Sequence, residues 1–193
     1  YEPAAHRRFL IDYFTGQFDG SAARGQPFGV SHKTGDRRIS GSLASLVGLE
    51  TALENGDDKA VDSAVEVILL LHGMIMSFGG LPLIYYGDEL GTINDYRYLD
   101  NPDKAGDNRW MHRPLIDWEK AARRREHGTV EQRIFDALQR MIAVRKTTAA
   151  FADFNNRELL QTGNPHLFAF IRRHPFQPGE QVLSVIDFGD MLN

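Results

Sequence analysis

The sequence predicts an α/β unit joined to an antiparallel β domain, and three features carry that reading. A long amphipathic helix beginning at Asp57-Asp58 runs into Leu81-Pro82-Leu83-Ile84-Tyr85-Tyr86, a glycine-bounded apolar run with the composition of a strand buried on both faces. A polar tetrad, Gly87-Asp88-Glu89-Leu90, and a long polar loop follow that run, as at the carboxyl ends of strands in parallel α/β sheets and barrels, where sites form. Beyond Thr147 the texture changes to short alternating runs separated by Asn-Pro and Pro-Gly turns, the mark of antiparallel sheet.

Taken in order, Phe9, Leu10, Tyr13 and Phe14 fall at helical spacing, so a short helix is predicted within Ala4 to Phe18, closed by Asp19-Gly20. Ser21 to Gly48 is rich in Gly, Ser and Arg with little periodicity and reads as a long structured excursion. Asp57-Asp58 caps a helix whose apolar positions Val61, Ala64, Val65, Ile68, Leu69, His72 and Ile75 continue to about Ser77, where Gly79-Gly80 stops it. After the Leu81–Tyr86 strand, a polar loop spans Gly91 to Gly128, and a second amphipathic helix passes through Ile134, Leu138, Met141, Ile142 and Val144. Strands are predicted at Leu159-Leu160, Leu167 to Ile171 and Val182 to Phe188. A domain boundary near Ala150 divides the chain into 1–150 and 151–193.

Composition narrows the function classes. Hydrophobic residues at 42% and charged residues at 25% are those of an ordinary globular protein. A net charge of -4 supplies no field for phosphate backbones, and the run Arg123-Arg124-Arg125 reads as a solvated face, so no nucleic-acid partner is expected. The longest mainly apolar stretch, Val65 to Leu71, which includes Glu66, falls short of the roughly 20 residues that cross a bilayer, so no membrane partner is expected either. With no cysteine, disulfides and thiolate chemistry are excluded. The first residue is Tyr1, without a charged and then apolar leader, which reads as a cut start and leaves the compartment open between cytoplasm and exterior.

Arg109 is the leading functional candidate, because a guanidinium offers a rigid fork of donors to a carboxylate or to sugar hydroxyls. Trp110 beside it reads as packing. Asp88-Glu89 invites assignment as a retaining glycosidase pair, which needs two carboxyls about 5–5.5 Å apart across one bond. Neighbours on a regular strand point to opposite faces, so the pair is read instead as satisfying backbone and Arg partners at the rim. His72, on an apolar helix, reads as a satisfied core residue. The seven histidines form no His-Glu-x-x-His or other metal spacing, and Asp100, Asp103 and Asp107 lack the pattern of a calcium loop. No phosphate-binding glycine motif is present, so neither metal nor organic cofactor is expected.

Gly79 to Glu89 resembles the eighth-strand signature of the α-amylase superfamily, glycoside hydrolase family 13. Further motifs resemble its amylosucrase branch, in the same order: His6-Arg7 before Phe9; Phe18-Asp19-Gly20-Ser21 with Ala23-Arg24-Gly25; Thr34-Gly35-Asp36 with Arg38; Ser40-Gly41-Ser42; Leu46-Val47-Gly48-Leu49; Gly91-Thr92-Ile93-Asn94-Asp95; Asp107-Asn108-Arg109-Trp110; His112-Arg113-Pro114; and Met141 to Arg145. The resemblance implies the C-terminal portion of a (β/α)₈ TIM barrel, followed by an incomplete antiparallel β-sandwich domain. Residues 1–56 would form the long excursion after strand seven, and 57–150 helix seven to helix eight.

On that resemblance the parent would be a retaining α-glucosyltransferase or glycosidase acting on sucrose and passing glucosyl units to an α-glucan. Its nucleophilic Asp, general-acid Glu and transition-state Asp would come from the missing N-terminal barrel half, upstream of this chain. Arg109 would help close the pocket around the terminal glucosyl unit, Arg38 would contact the acceptor or fructosyl side, and Arg7 with Phe9 would lie farther along the acceptor channel. Gly29 stands where this branch carries a polar residue, which keeps sucrose hydrolysis, or another α-glucosidase activity, beside transfer. The isolated chain is expected to be inactive, at most binding sugar or packing against its other half.

Overall fold

The computed structural model describes residues 2–177 and 179–189; the predicted end of the β domain, 190–193, lies outside them. Helix α1, Pro3–Phe14, leads into a β-hairpin of β1, Gln26–Phe28, and β2, Arg38–Ser40. Two short helices follow, α2 at Leu43–Leu46 and α3 at Leu49–Asn55, before the long helix α4, Asp58–Phe78. Successive 3₁₀ turns at Asp88–Leu90, Tyr96–Asp100 and Asn108–His112 lead to the short helix α5, Trp118–Ala122, and to α6, Val130–Thr147. Strands β3, Arg157–Leu160, β4, Leu167–Arg173, and β5, Gln181–Asp187, close the order.

Helix α4 starts where the sequence places it, because the Asp57 carboxylate accepts the Ala60 amide at 3.0 Å. It stops at Gly79, whose φ of +138° and proximity to the Phe154 carbonyl leave no space for a Cβ. The core lies where α3, α4 and α6 meet: Leu49, Ala64, Val65, Ile68, Ile134 and Leu138 are buried against one another. By length and composition alone α4 is apolar enough to cross a membrane, which the short run Val65–Leu71 did not indicate. Its buried face and its packing on α3 and α6 make it a core helix here.

The apolar run 81–86 departs from expectation. Residues 81–85 form neither helix nor strand, Tyr86 begins a turn, and the run pairs with no strand among the described residues; the described sheets are small and antiparallel, with no closed barrel. Nor is it buried on both faces: Leu81 is 83% and Leu83 81% exposed, with Tyr85 on the same side, while Pro82 and Ile84 turn inward. Exposure alternates with period two from Leu81 to Tyr85, but a ladder needs a neighbouring strand to accept its hydrogen bonds.

The Gly-rich stretch 21–48 holds the hairpin, which weak periodicity concealed; Phe28 lies opposite Arg38 and Gln26 opposite Ser40. Beyond α6 the sheet runs β3-β4-β5, antiparallel throughout, at the positions where alternating runs were read. It seats against the end of α4 through Phe78, whose ring lies 5.7 Å from Phe168 and 5.3 Å from Phe170. Arg172 fastens the junction. Fully buried on β4, it donates to the Ser77 carbonyl at 2.6 Å, to the Asp153 carbonyl and to Asn156 Oδ1, placing a cation on the carboxyl end of α4.

Several motifs of the first half meet in one buried polar network. Asn94 accepts the Ser42 amide and donates to the Arg24 carbonyl, both at 2.8 Å, and its own amide donates to Ser45 Oγ at 2.8 Å. Ser45 and Tyr96 both donate to the buried Glu50 carboxylate, the latter at 2.8 Å. Burial pushes the Tyr96 phenol above its ordinary range. Residues 24–50 are thereby locked to the loop that begins at Gly91, which sets the hairpin against the turn carrying Arg109.

Candidate functional site

The site is built by pinning the turn 108–112 onto the hairpin. Asn108 donates to the Pro27 carbonyl on β1 at 2.9 Å and accepts from Ser40 Oγ on β2 at 3.2 Å, so one side chain spans both strands. Asp107 precedes the turn and accepts the Arg109 amide at 3.0 Å. Its carboxylate also receives the Arg109 fork, Nε at 2.8 Å and Nη2 at 2.7 Å. The Arg109 side-chain bonds, with the backbone bond behind them, hold the Asp107 carboxyl down to about 2.

Phe28 lies between the two predicted arginines. The Arg109 guanidinium carbon is 5.7 Å from the Phe28 ring centre and that of Arg38 6.0 Å, both within cation–π reach. Beside this trio opens a surface cleft of about 770 Å³, lined by Phe28, Gly29, Tyr98, Leu99, Asp107 and Arg109 among others. Tyr98 steadies the far wall by donating to Gln26 Oε1 at 3.2 Å. An aromatic ring with two guanidiniums over it offers an apolar surface together with several hydrogen-bond donors for hydroxyls or an anion.

Arg7 and Phe9 are placed elsewhere. Arg7 Nε pairs with Asp36 Oδ1 at 3.1 Å, tying α1 to the hairpin loop two residues before Arg38, with both groups about half exposed. The Asp36 carboxyl is lowered by the Thr34 hydroxyl and then by Arg7. Phe9 joins a partly exposed aromatic cluster, edge-on to Phe18 at 5.1 Å and tilted to Tyr13 at 5.8 Å. Neither lines the Phe28 cleft, and Arg38 reaches it only through its contact with Phe28.

Asp88 and Glu89 occupy a 3₁₀ turn, not a regular strand. Glu89 accepts the Gly87 amide at 2.8 Å. Asp88 faces a histidine in place of the expected arginine: its Oδ2 lies 3.9 Å from Nε2 of buried His72, whose Nδ1 donates to the Ile68 carbonyl at 2.8 Å. Burial raises the Asp88 carboxyl, and His72 opposes that shift. His72 is thus held in the core. The reading of residues from sequence missed Phe28 and Asn108; the one available signal was their position beside Gly29 and Arg109 in motifs already singled out.

No protein-family model matches the chain. It is similar to glucosylglycerate phosphorylase of Escherichia coli, with 30% identity over 89 residues, a stretch that takes in 46% of this chain but only 15% of that enzyme. The likeness is therefore to a carbohydrate-active enzyme at that coarse level, and it extends to neither amylosucrase nor sucrose.

Proposed function

We propose that this chain forms the C-terminal part of the catalytic barrel of a retaining α-glucosyltransferase or glycosidase acting on sucrose and delivering glucosyl units to an α-glucan. The observation that carries the reading is the convergence of Arg38 and Arg109 on Phe28 beside an open cleft. An aromatic face suits the CH face of a pyranose, and flanking guanidinium donors suit its hydroxyls. In such a reaction one carboxylate attacks the anomeric carbon, one carboxylic acid protonates the departing oxygen, and the glycosyl-enzyme is then opened by an acceptor hydroxyl or by water. Those carboxyls belong, on this proposal, to barrel strands outside the present sequence. Within it, Asp88 and Glu89 are engaged with His72 and the Gly87 amide. The exposed Leu81 and Leu83 are in keeping with a strand whose partners come from those other strands.

One specific finding favours a second reading. The relative is by name a phosphorylase, so inorganic phosphate, in place of an acceptor hydroxyl, would open the glycosyl-enzyme and release glucose 1-phosphate.

The test incubates sucrose, with and without phosphate, with the chain alone and with a version extended by the proposed upstream strands. Fructose, glucose, glucan and glucose 1-phosphate are assayed separately. Silence from the chain, with fructose and glucan from the extended protein, supports transfer. Equal glucose and fructose indicates hydrolysis, and phosphate-dependent glucose 1-phosphate indicates phosphorolysis. Turnover by the chain alone would sink the assignment of the acids to other strands and return attention to Asp88 and Glu89.

A further inference from the structure

We infer that Phe28 is a positioning residue for the sugar site, the shared face that sets the orientations of Arg38 and Arg109 relative to one another. The inference rests on the sugar-binding reading of that cleft and adds a residue to it. Arg38 and Arg109 are both exposed, and long exposed side chains sample many rotamers unless something holds them. Arg109 has the Asp107 carboxylate on one side. Its other restraint, and that of Arg38, is the Phe28 ring, at 5.7 Å and 6.0 Å.

The backbone makes this arrangement a property of the fold. Phe28 and Arg38 are directly opposite in the hairpin register, so their side chains share a face of the ribbon. Asn108 bonds to both strands of that hairpin, at Pro27 and at Ser40, and the next residue is Arg109. One ring and one amide therefore fix where two guanidiniums sit, although those guanidiniums come from segments about 70 residues apart in sequence. Phe28 itself presents a face to the cleft that Arg109 and Tyr98 also line.

The experiment uses the isotopically labelled chain and reads the side-chain Nε–Hε signals of Arg38 and Arg109 by NMR, first alone and then titrated with sucrose and with maltotriose. A ring over a guanidinium shifts those signals upfield. Phe28→Leu is expected to move both arginine signals downfield and to weaken sugar binding about five- to thirty-fold, the loss of one exposed cation–π contact at each of the two arginines. Phe28→Tyr is expected to restore both. Should Phe28→Leu unfold the hairpin, Phe28→Trp carries the test: the larger ring current of its indole should enlarge the upfield shift, and its stronger quadrupole should keep the arginine contacts and the sugar binding. Arginine signals that ignore these substitutions overturn the positioning role. Shifts that respond to the ring while neither sugar perturbs the wild-type spectrum overturn the sugar-binding reading instead.

Discussion

The segment 81–86 offers the sharpest check on the proposed barrel. Leu81 and Leu83 are 83% and 81% exposed, alternating with the less exposed Pro82 and Ile84 in a run that pairs with no strand among the described residues. Fully burying a leucine is worth about 1.5–3 kcal/mol, so at these exposures the two together offer about 2.5–5 kcal/mol to any surface that covers them. That corresponds to about two to four orders of magnitude in an association constant, with the lower end the better guide because docking also orders side chains and the unpaired backbone. The double substitution Leu81→Ser/Leu83→Ser should therefore weaken self-association of the chain by about a hundred-fold. Sedimentation velocity across a wide concentration range measures it directly. A wild-type chain that stays monomeric at high concentration, unfolds in one sharp transition and is indistinguishable from the double variant would refute the reasoning, and the cut-barrel account with it.

Two further outcomes follow from the junction and the site. Arg172→Met removes a buried cation that satisfies the Ser77 carbonyl at the end of α4 and the Asp153 carbonyl and Asn156 Oδ1 ahead of β3; urea unfolding, run in the double-serine background to limit association, should show a loss of about 3–5 kcal/mol, and a loss below about 1 kcal/mol would mean that those acceptors are otherwise satisfied. The Asp107 carboxyl, held to about 2 by Arg109, should titrate by NMR well below the ordinary aspartate value of about 3.9. Because the folded-state value is depressed, its contribution to stability is complete above the ordinary aspartate range and is lost as the pH falls towards 2. Arg109→Lys should raise the midpoint, since an ammonium cannot reproduce the two-pronged contact; an unmoved midpoint would point to a different partner.

Helices α1, α4 and α6 and the terminal sheet were legible because their causes are local, whereas the short helices α2, α3 and α5 fell in stretches read as excursion or loop or left unassigned. Asp57 capping, the apolar spacing through Ile68 and His72, and Gly79 at +138° define α4 within its own residues, and the Asn-Pro and Pro-Gly turns mark off β3 to β5. The hairpin was not legible, since β1 and β2 are three residues each and are held by partners far along the chain. The run 81–86 shows the reverse: its composition says buried strand, but a strand exists only where a neighbour takes its hydrogen bonds.

The site divides in the same way. Arg38 and Arg109 were singled out by residue type and motif, and Asp107 lay within the same motif. Their meeting on Phe28 was decided by Asn108 reaching across both hairpin strands and by the buried network around Asn94 and Glu50 that locks the excursion to the loop. Arg7 and Phe9, chosen on the same grounds, were carried by α1 to a separate surface beside Asp36 and Phe18. Sequence by itself determined where α1, α4, α6 and the terminal strands lie and which side chains are chemically capable, because propensity, capping and periodicity act over a few residues. Tertiary structure alone decided which of those side chains share a surface, because that depends on contacts between segments many residues apart.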